Sequence, residues 1–110
     1  MSDFYGVKPG VVEYLMAGIT QQPIALGIEA DSLVFQLYQS GVLDSEKCGT
    51  ALNHAVIAVG YGHDEDSGLD YYIVRNSWGA NWGDQGYIKI AAVDGDGICG
   101  VQMQPSFPVA

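Results

Sequence analysis

The sequence is short of positive charge. Four lysines and arginines stand against thirteen aspartates and glutamates, a formal charge of −9 over 110 residues. So acidic a surface repels phosphate backbones and anionic lipid headgroups, which argues against nucleic-acid and membrane partners. No apolar run approaches the roughly 20 residues that cross a bilayer. The first residues carry no positively charged stretch leading into an apolar one, so no secretory leader is read there. Internal repeats, low-complexity tracts and linkers are also lacking. Histidine and cysteine occur twice each. His54 and His63 make no recognisable metal motif, His63 is read as an exposed loop residue, and neither metal nor cofactor is expected.

What is present suits one globular domain spanning 1–110. Apolar residues make up 48% and charged residues 15%, and a chain of this length buries roughly two-thirds of its unfolded surface. Its acidic groups repel one another less as pH falls, which suits an acidic compartment, while hydrogen-bonded carboxylates pull the other way. Cys48 and Cys99, each followed by glycine, are read as one disulfide of a secreted or vesicular protein, with two buried free thiols as the alternative. Closing that loop of about fifty residues contributes roughly 4 kcal/mol on the chain-entropy account. Neither cysteine stands in a nucleophile's context.

Along the chain, Val11, Val12, Leu15, Met16 and Ile19 keep helical spacing, and Pro9 fits the first turn, where no amide hydrogen is needed. Ile24, Leu26 and Ile28 alternate as the buried face of a strand. Asp31 or Ser32 caps a short helix through 33–40 that ends near Gly41. Residues 42–50 read as a loop carrying Cys48. Strands are expected at 54–60, 71–75, 86–92 and 98–102, with the glycines and acids of 61–70 forming a surface loop. The stretch "NSWGANWGDQG" at 76–86 is too irregular for a helix and too rich in glycine for a plain strand. The expected class is α+β: one or two short helices followed by an antiparallel sheet.

A hairpin centred on Glu65 places His54 opposite Asn76. Period-two alternation then gathers His54, Val56 and Ala58 on one face with Asn76, Val74 and Tyr72. An amide oxygen that accepts from one imidazole nitrogen fixes the tautomer and leaves the other nitrogen to exchange a proton with a nucleophile. This is the orienter's role in a catalytic triad. Trp78 is positioned to shield the pair from water. On spacing alone the structural alternative, a satisfied histidine at a strand start and a turn-forming asparagine, is the commoner arrangement.

The strings "LNHAVIAVGYG", "YYIVRNSWGANWGDQGYIKIA", "GICGV" and "SFPV", with "QQPIALGIEA" and "FQLYQSGV" upstream, resemble the C-terminal half of papain-like cysteine proteases over about residues 11 to 109. The resemblance implies the antiparallel, β-barrel-like right-hand domain of that fold. It makes His54 the catalytic base, Asn76 its orienter, and Trp78 and Trp82 the indoles of the leaving-group wall. Gly27, Leu52 and Gln104 fall where the family lines its S2 pocket, and Asn53 where the backbone meets substrate. A small Gly27 and Leu52 imply a bulky apolar side chain there, with Gln104 adding polarity. Cys48 and Cys99 match the family's disulfide in this half, and the family implies a lysosomal, vacuolar or secreted setting.

The nucleophile is missing. Nothing in the sequence resembles the family's "C-G-S-C-W" motif or its oxyanion-hole glutamine, so the thiol must come from a light chain or N-terminal half outside these residues. Peptide or protein substrates are then expected, with this chain inactive alone. The other possibility is an isolated inactive domain that binds or self-associates through its exposed interdomain face.

Overall fold

The computed structural model describes residues 12–103. Pro9, Val11 and Gln104 therefore lie outside the described residues. The elements are α1 (Val12–Ile19), β1 (Ile24–Ile28), α2 (Leu33–Gln36), β2 (Val42–Leu43), β3 (His54–Asp64), β4 (Leu69–Arg75) and β5 (Tyr87–Ala91), with 3-10 turns at Glu46–Cys48 and Ile98–Gly100. The class is α+β, as expected.

Apolar spacing decides which faces are buried. In α1, Leu15 and Ile19 point inward while Val12 and Met16 flank them. Ile24, Leu26 and Ile28 of β1 join Val56 and Ala58 of β3, Tyr72 and Val74 of β4, and Ile88 and Ile90 of β5 in one buried face. The strand order is β1-β3-β4-β5-β2. All neighbours are antiparallel except β2 on β5, which is parallel. The sheet is thus mixed and open, with β1 and β2 as its edges, rather than a closed barrel.

Four local expectations change. First, β3 runs to Asp64 and β4 begins at Leu69, so most of the expected surface loop is hairpin and only residues 65–68 turn. The outward face of a hairpin end tolerates acids and glycines, which is why composition alone reads as loop. Second, the expected strand at 98–102 is a 3-10 turn over Ile98–Gly100 followed by further turn. Gly97, at φ 81, precedes Ile98, and Cys99 and Gly100 then lie at φ 60 and φ 74, positive dihedrals that an extended strand does not take. Third, the expected loop at 42–50 contains β2 and a 3-10 turn. Fourth, α2 stops after Gln36. Ser32, not Asp31, caps it, its Oγ accepting from the Phe35 amide at 3.4 Å.

The β3–β4 register differs from the expected one by two residues. Ala58 faces Val74, where a His54–Asn76 pairing requires it to face Tyr72. An even shift preserves the face of every side chain, so the expected grouping survives. Beyond Ala58 a bulge inserts Val59, and Gly60 then pairs with Ile73.

Candidate active site

His54 opens β3 opposite Ile28 at the end of β1, and Asn76 follows the last residue of β4. Their shared face, with the two-residue offset, makes them diagonal neighbours within side-chain reach. His54 Nε2 lies 2.7 Å from Asn76 Oδ1. The Ser77 amide donates to the same oxygen at 2.7 Å, which identifies it as the oxygen and requires Nε2 to carry the hydrogen. His54 is half-buried and Asn76 is 6% exposed. In the neutral ring Nδ1 therefore holds the free lone pair. Asn76 Nδ2 is buried with no hydrogen-bond partner among the described residues, an arrangement that costs about 1–3 kcal/mol.

The asparagine is held by the loop that follows it. Its amide donates to Gly86 O at 3.0 Å, the Gly86 amide to Trp82 O at 2.9 Å, and the Asp84 amide to Tyr87 O at 2.9 Å. Gly83, at φ 61, sits where a Cβ would lie 2.7 Å from Tyr87 O. A side chain there would open the loop.

The Trp78 ring lies 5.3 Å from the imidazole, tilted by 31°, and is 42% exposed. It meets Trp82 edge-on at 5.5 Å. Both indoles rest on Phe35 of α2, at 5.3 and 4.9 Å, and Tyr38 closes on Trp82 at 6.1 Å. Sequence reading missed Phe35 and Tyr38. Their signal was two aromatics three residues apart, Phe35 inside the short helix and Tyr38 just past its end. Trp82 Nε1 is buried without a hydrogen-bond partner among the described residues.

Leu52 and Gly27 come together as expected: a Cβ on Gly27 would stand 3.2 Å from Leu52 Cδ1. On the other side, a Cβ on Gly100 would stand 2.7 Å from Leu52 Cδ2 and 3.1 Å from Met103 Sδ. Leu52 thus sits between two glycines, and Gly100 and Met103 are further residues that sequence reading did not place there. Asn53 is exposed. Its amide donates to Ile28 O at 2.9 Å and its Oδ1 accepts from the Ala30 amide at 2.9 Å. Cys48 and Cys99 are disulfide-bonded. They are the chain's two cysteines, so no free thiol remains.

His63 is exposed, as expected, and lies away from the pair at the hairpin end, its Nδ1 2.7 Å from Asp70 Oδ1. Among the described residues no cluster of histidine, cysteine and acidic side chains could hold a metal, and no helix is long and apolar enough to cross a membrane.

Comparison with known proteins gives a consistent picture. Residues 1–109 match the papain family cysteine proteases. A probable cysteine protease RDL2 of Arabidopsis thaliana is 50% identical over 96 residues, covering 86% of this chain and 26% of the relative. A germination-specific cysteine protease 1 of the same plant is 48% identical over 98 residues, covering 86% and 25%. Among solved structures, bromelain from Ananas comosus in complex with the E64 inhibitor superposes with a TM-score of 0.85 at 41% identity, over 96% of this chain and 50% of that one. The proform of the ragweed pollen allergen Amb a 11 gives 0.87 at 40% identity, over 94% and 31%. The chain spans about a quarter of the length of these sequence relatives. It belongs to the papain family of cysteine proteases.

Proposed function

We propose that this chain is the C-terminal, histidine-bearing half of a papain-like cysteine peptidase, a single domain that cleaves peptide bonds only when joined to a half that supplies the thiol. The observation that carries this is the 2.7 Å contact between His54 Nε2 and Asn76 Oδ1 in a chain with no free cysteine. Asn76 holds the ring with Nδ1 outward, and Trp78 keeps water from the contact. A thiol from the complementary half gives its proton to His54, forming a thiolate–imidazolium pair. The thiolate adds to the scissile carbonyl. His54 then protonates the departing amine, and water, giving a proton back to His54, releases the acyl group.

Gly27 and Leu52 serve as walls of the S2 pocket, favouring a bulky apolar side chain, with Gln104 contributing polarity. Asn53, Trp78 and Trp82 line the remainder of the cleft. The disulfide supports a lysosomal, vacuolar or secreted setting. Until the other half docks, exposed Trp78, together with Leu33 at the start of α2 and Leu37 at its C-cap, each about 70% exposed, gives the chain apolar surface for self-association.

The test is reconstitution with a cysteine-bearing half, followed by peptide hydrolysis. The assembly is expected to be active and the chain alone inactive, and His54→Ala is expected to lower kcat by at least about 10²-fold. An inactive assembly, or one indifferent to His54→Ala, would overturn the reading.

A further inference from the structure

The segment that delivers Leu52 and His54 to the site, residues 49–53, has little regular structure of its own. It is tied to the end of β1 instead. The Asn53 amide donates to Ile28 O and Asn53 Oδ1 accepts from the Ala30 amide. Between them stands Glu29, whose Oε1 accepts from the Ala51 amide at 2.7 Å. Glu29 is held in turn by its own amide, which donates to Cys99 O at 2.9 Å. The carboxylate lies so close over Gly49 that a Cβ there would stand 2.7 Å from Cδ and from Oε2. Gly49, at φ 79, is therefore both left-handed and overlaid by the Glu29 head group. A charged acceptor on an amide makes one of the stronger hydrogen bonds available to a loop.

The next residue after Ala51 is Leu52, gripped between Gly27 of β1 and Gly100. Gly27 is two residues before Glu29, so the end of β1 that offers the glycine is followed directly by the carboxylate that aligns the leucine against it. We propose that Glu29 is a positioning residue for substrate selection: by holding the Ala51 amide it fixes Leu52 over Gly27 and so sets the depth of the apolar pocket. The inference rests on the proposed function for its readout, since Gly27 and Leu52 select substrate only if that reading holds.

The experiment compares Glu29→Ala and Glu29→Gln in the reconstituted enzyme. Two peptides are used that differ only in the side chain two positions before the scissile bond, one leucine and one alanine. Loss of the carboxylate lets Leu52 drift, so Glu29→Ala is expected to lower the leucine-over-alanine ratio of kcat/KM on the order of tenfold, through KM rather than kcat. Glu29→Gln keeps an amide oxygen for Ala51 and is expected to restore most of the ratio. In the chain alone, Glu29→Ala should speed hydrogen exchange at the Ala51 amide while leaving the amides of β4 protected. A ratio unchanged by Glu29→Ala in an active assembly overturns this inference and leaves the proposed function standing. A fall of kcat alike for both peptides overturns it too, as a general loss of structure. An assembly inactive with wild-type Glu29 overturns the parent reading, and the selectivity role with it.

Discussion

Two buried polar side chains, Asn76 and Gln102, carry opposite kinds of work. Asn76 spends its oxygen on His54 and Ser77 and leaves its nitrogen without a partner among the described residues, a local cost that stability alone does not explain. Asn76→Ala keeps the proposed base, His54, but frees its ring. The expected result in an assembled enzyme is a drop in kcat on the order of 10²-fold, with loss of the Nε2-bound proton signal of His54 in the chain alone. Gln102 is wholly structural. It accepts from the Tyr72 hydroxyl at 2.7 Å and donates to Gly95 O at 3.0 Å. Tyr72→Phe strands that oxygen and is expected to cost about 1–3 kcal/mol, read as a lowered denaturation midpoint. Burial also raises the Tyr72 hydroxyl above its ordinary pKa. A raised folded value means stability is complete below the unfolded value near 10 and is lost as pH climbs beyond it, because only the unfolded chain ionises there. Tyr72→Phe should flatten that alkaline decline. Tyr38, raised by burial as well, supplies the part that remains.

At the scale of elements, what the sequence revealed depended on whether errors preserved parity. His54 and Asn76 were legible as partners because a register wrong by two keeps both on the same face, whereas a slip of one would have separated them. The bulge at Val59 and the parallel β2 were not legible. Neither leaves a mark in local composition: one depends on which partner amide is free, the other on a pairing between residues more than forty apart. The hairpin tip misled for a different reason, since Asp64, Glu65 and Asp66 read as loop although Asp64 ends a strand. There Asp64 Oδ2 accepts from the Ser67 hydroxyl at 2.6 Å and from its amide at 3.0 Å. The Ser67 hydroxyl, then its amide, hold the carboxyl below its ordinary value. A depressed folded pKa gives support that is present above the unfolded value, about 3.9, and lost as pH falls through the folded one. Protection of the Ser67 amide from exchange is therefore expected to persist at and above about pH 4 and to fall away as pH drops through the lowered folded value, while Asp64→Asn weakens that dependence. Helix α2 illustrates a further gap. Four residues long, it carries Phe35, fully buried beneath both tryptophans. Phe35→Ala is expected to destabilise the chain by about 3–5 kcal/mol and to loosen Trp78 from His54, visible as altered tryptophan fluorescence.

For the whole molecule, the sheet's apolar face and the Cys48–Cys99 bridge share the work of holding a domain whose proposed catalytic pair, His54 and Asn76, lies at one end of the β3–β4 hairpin. The disulfide spans 51 residues, from the turn after β2 to the turn after β5, and so encloses β3, β4 and β5. Both sulfur atoms are buried within the core cluster. The Cys99 carbonyl also accepts from Glu29, so the bridge secures the segment that locates Leu52. Cross-linking a loop of that length restricts the unfolded chain by about 4 kcal/mol at 25 °C, a large share of the roughly 5–15 kcal/mol that a small domain possesses. Cys48→Ala with Cys99→Ala is accordingly expected to lower the unfolding free energy in urea by about that amount. The β3–β4 pairing, which contains neither cysteine, should keep its native exchange pattern under folding conditions. The loss should be felt first at residues 28–30 and 49–53, as faster exchange at Glu29 and Ala51. A double variant as stable as the parent would show that the apolar core alone holds these turns. Uniform loss of protection across β3 and β4 would show instead that the bridge is a condition for folding at all.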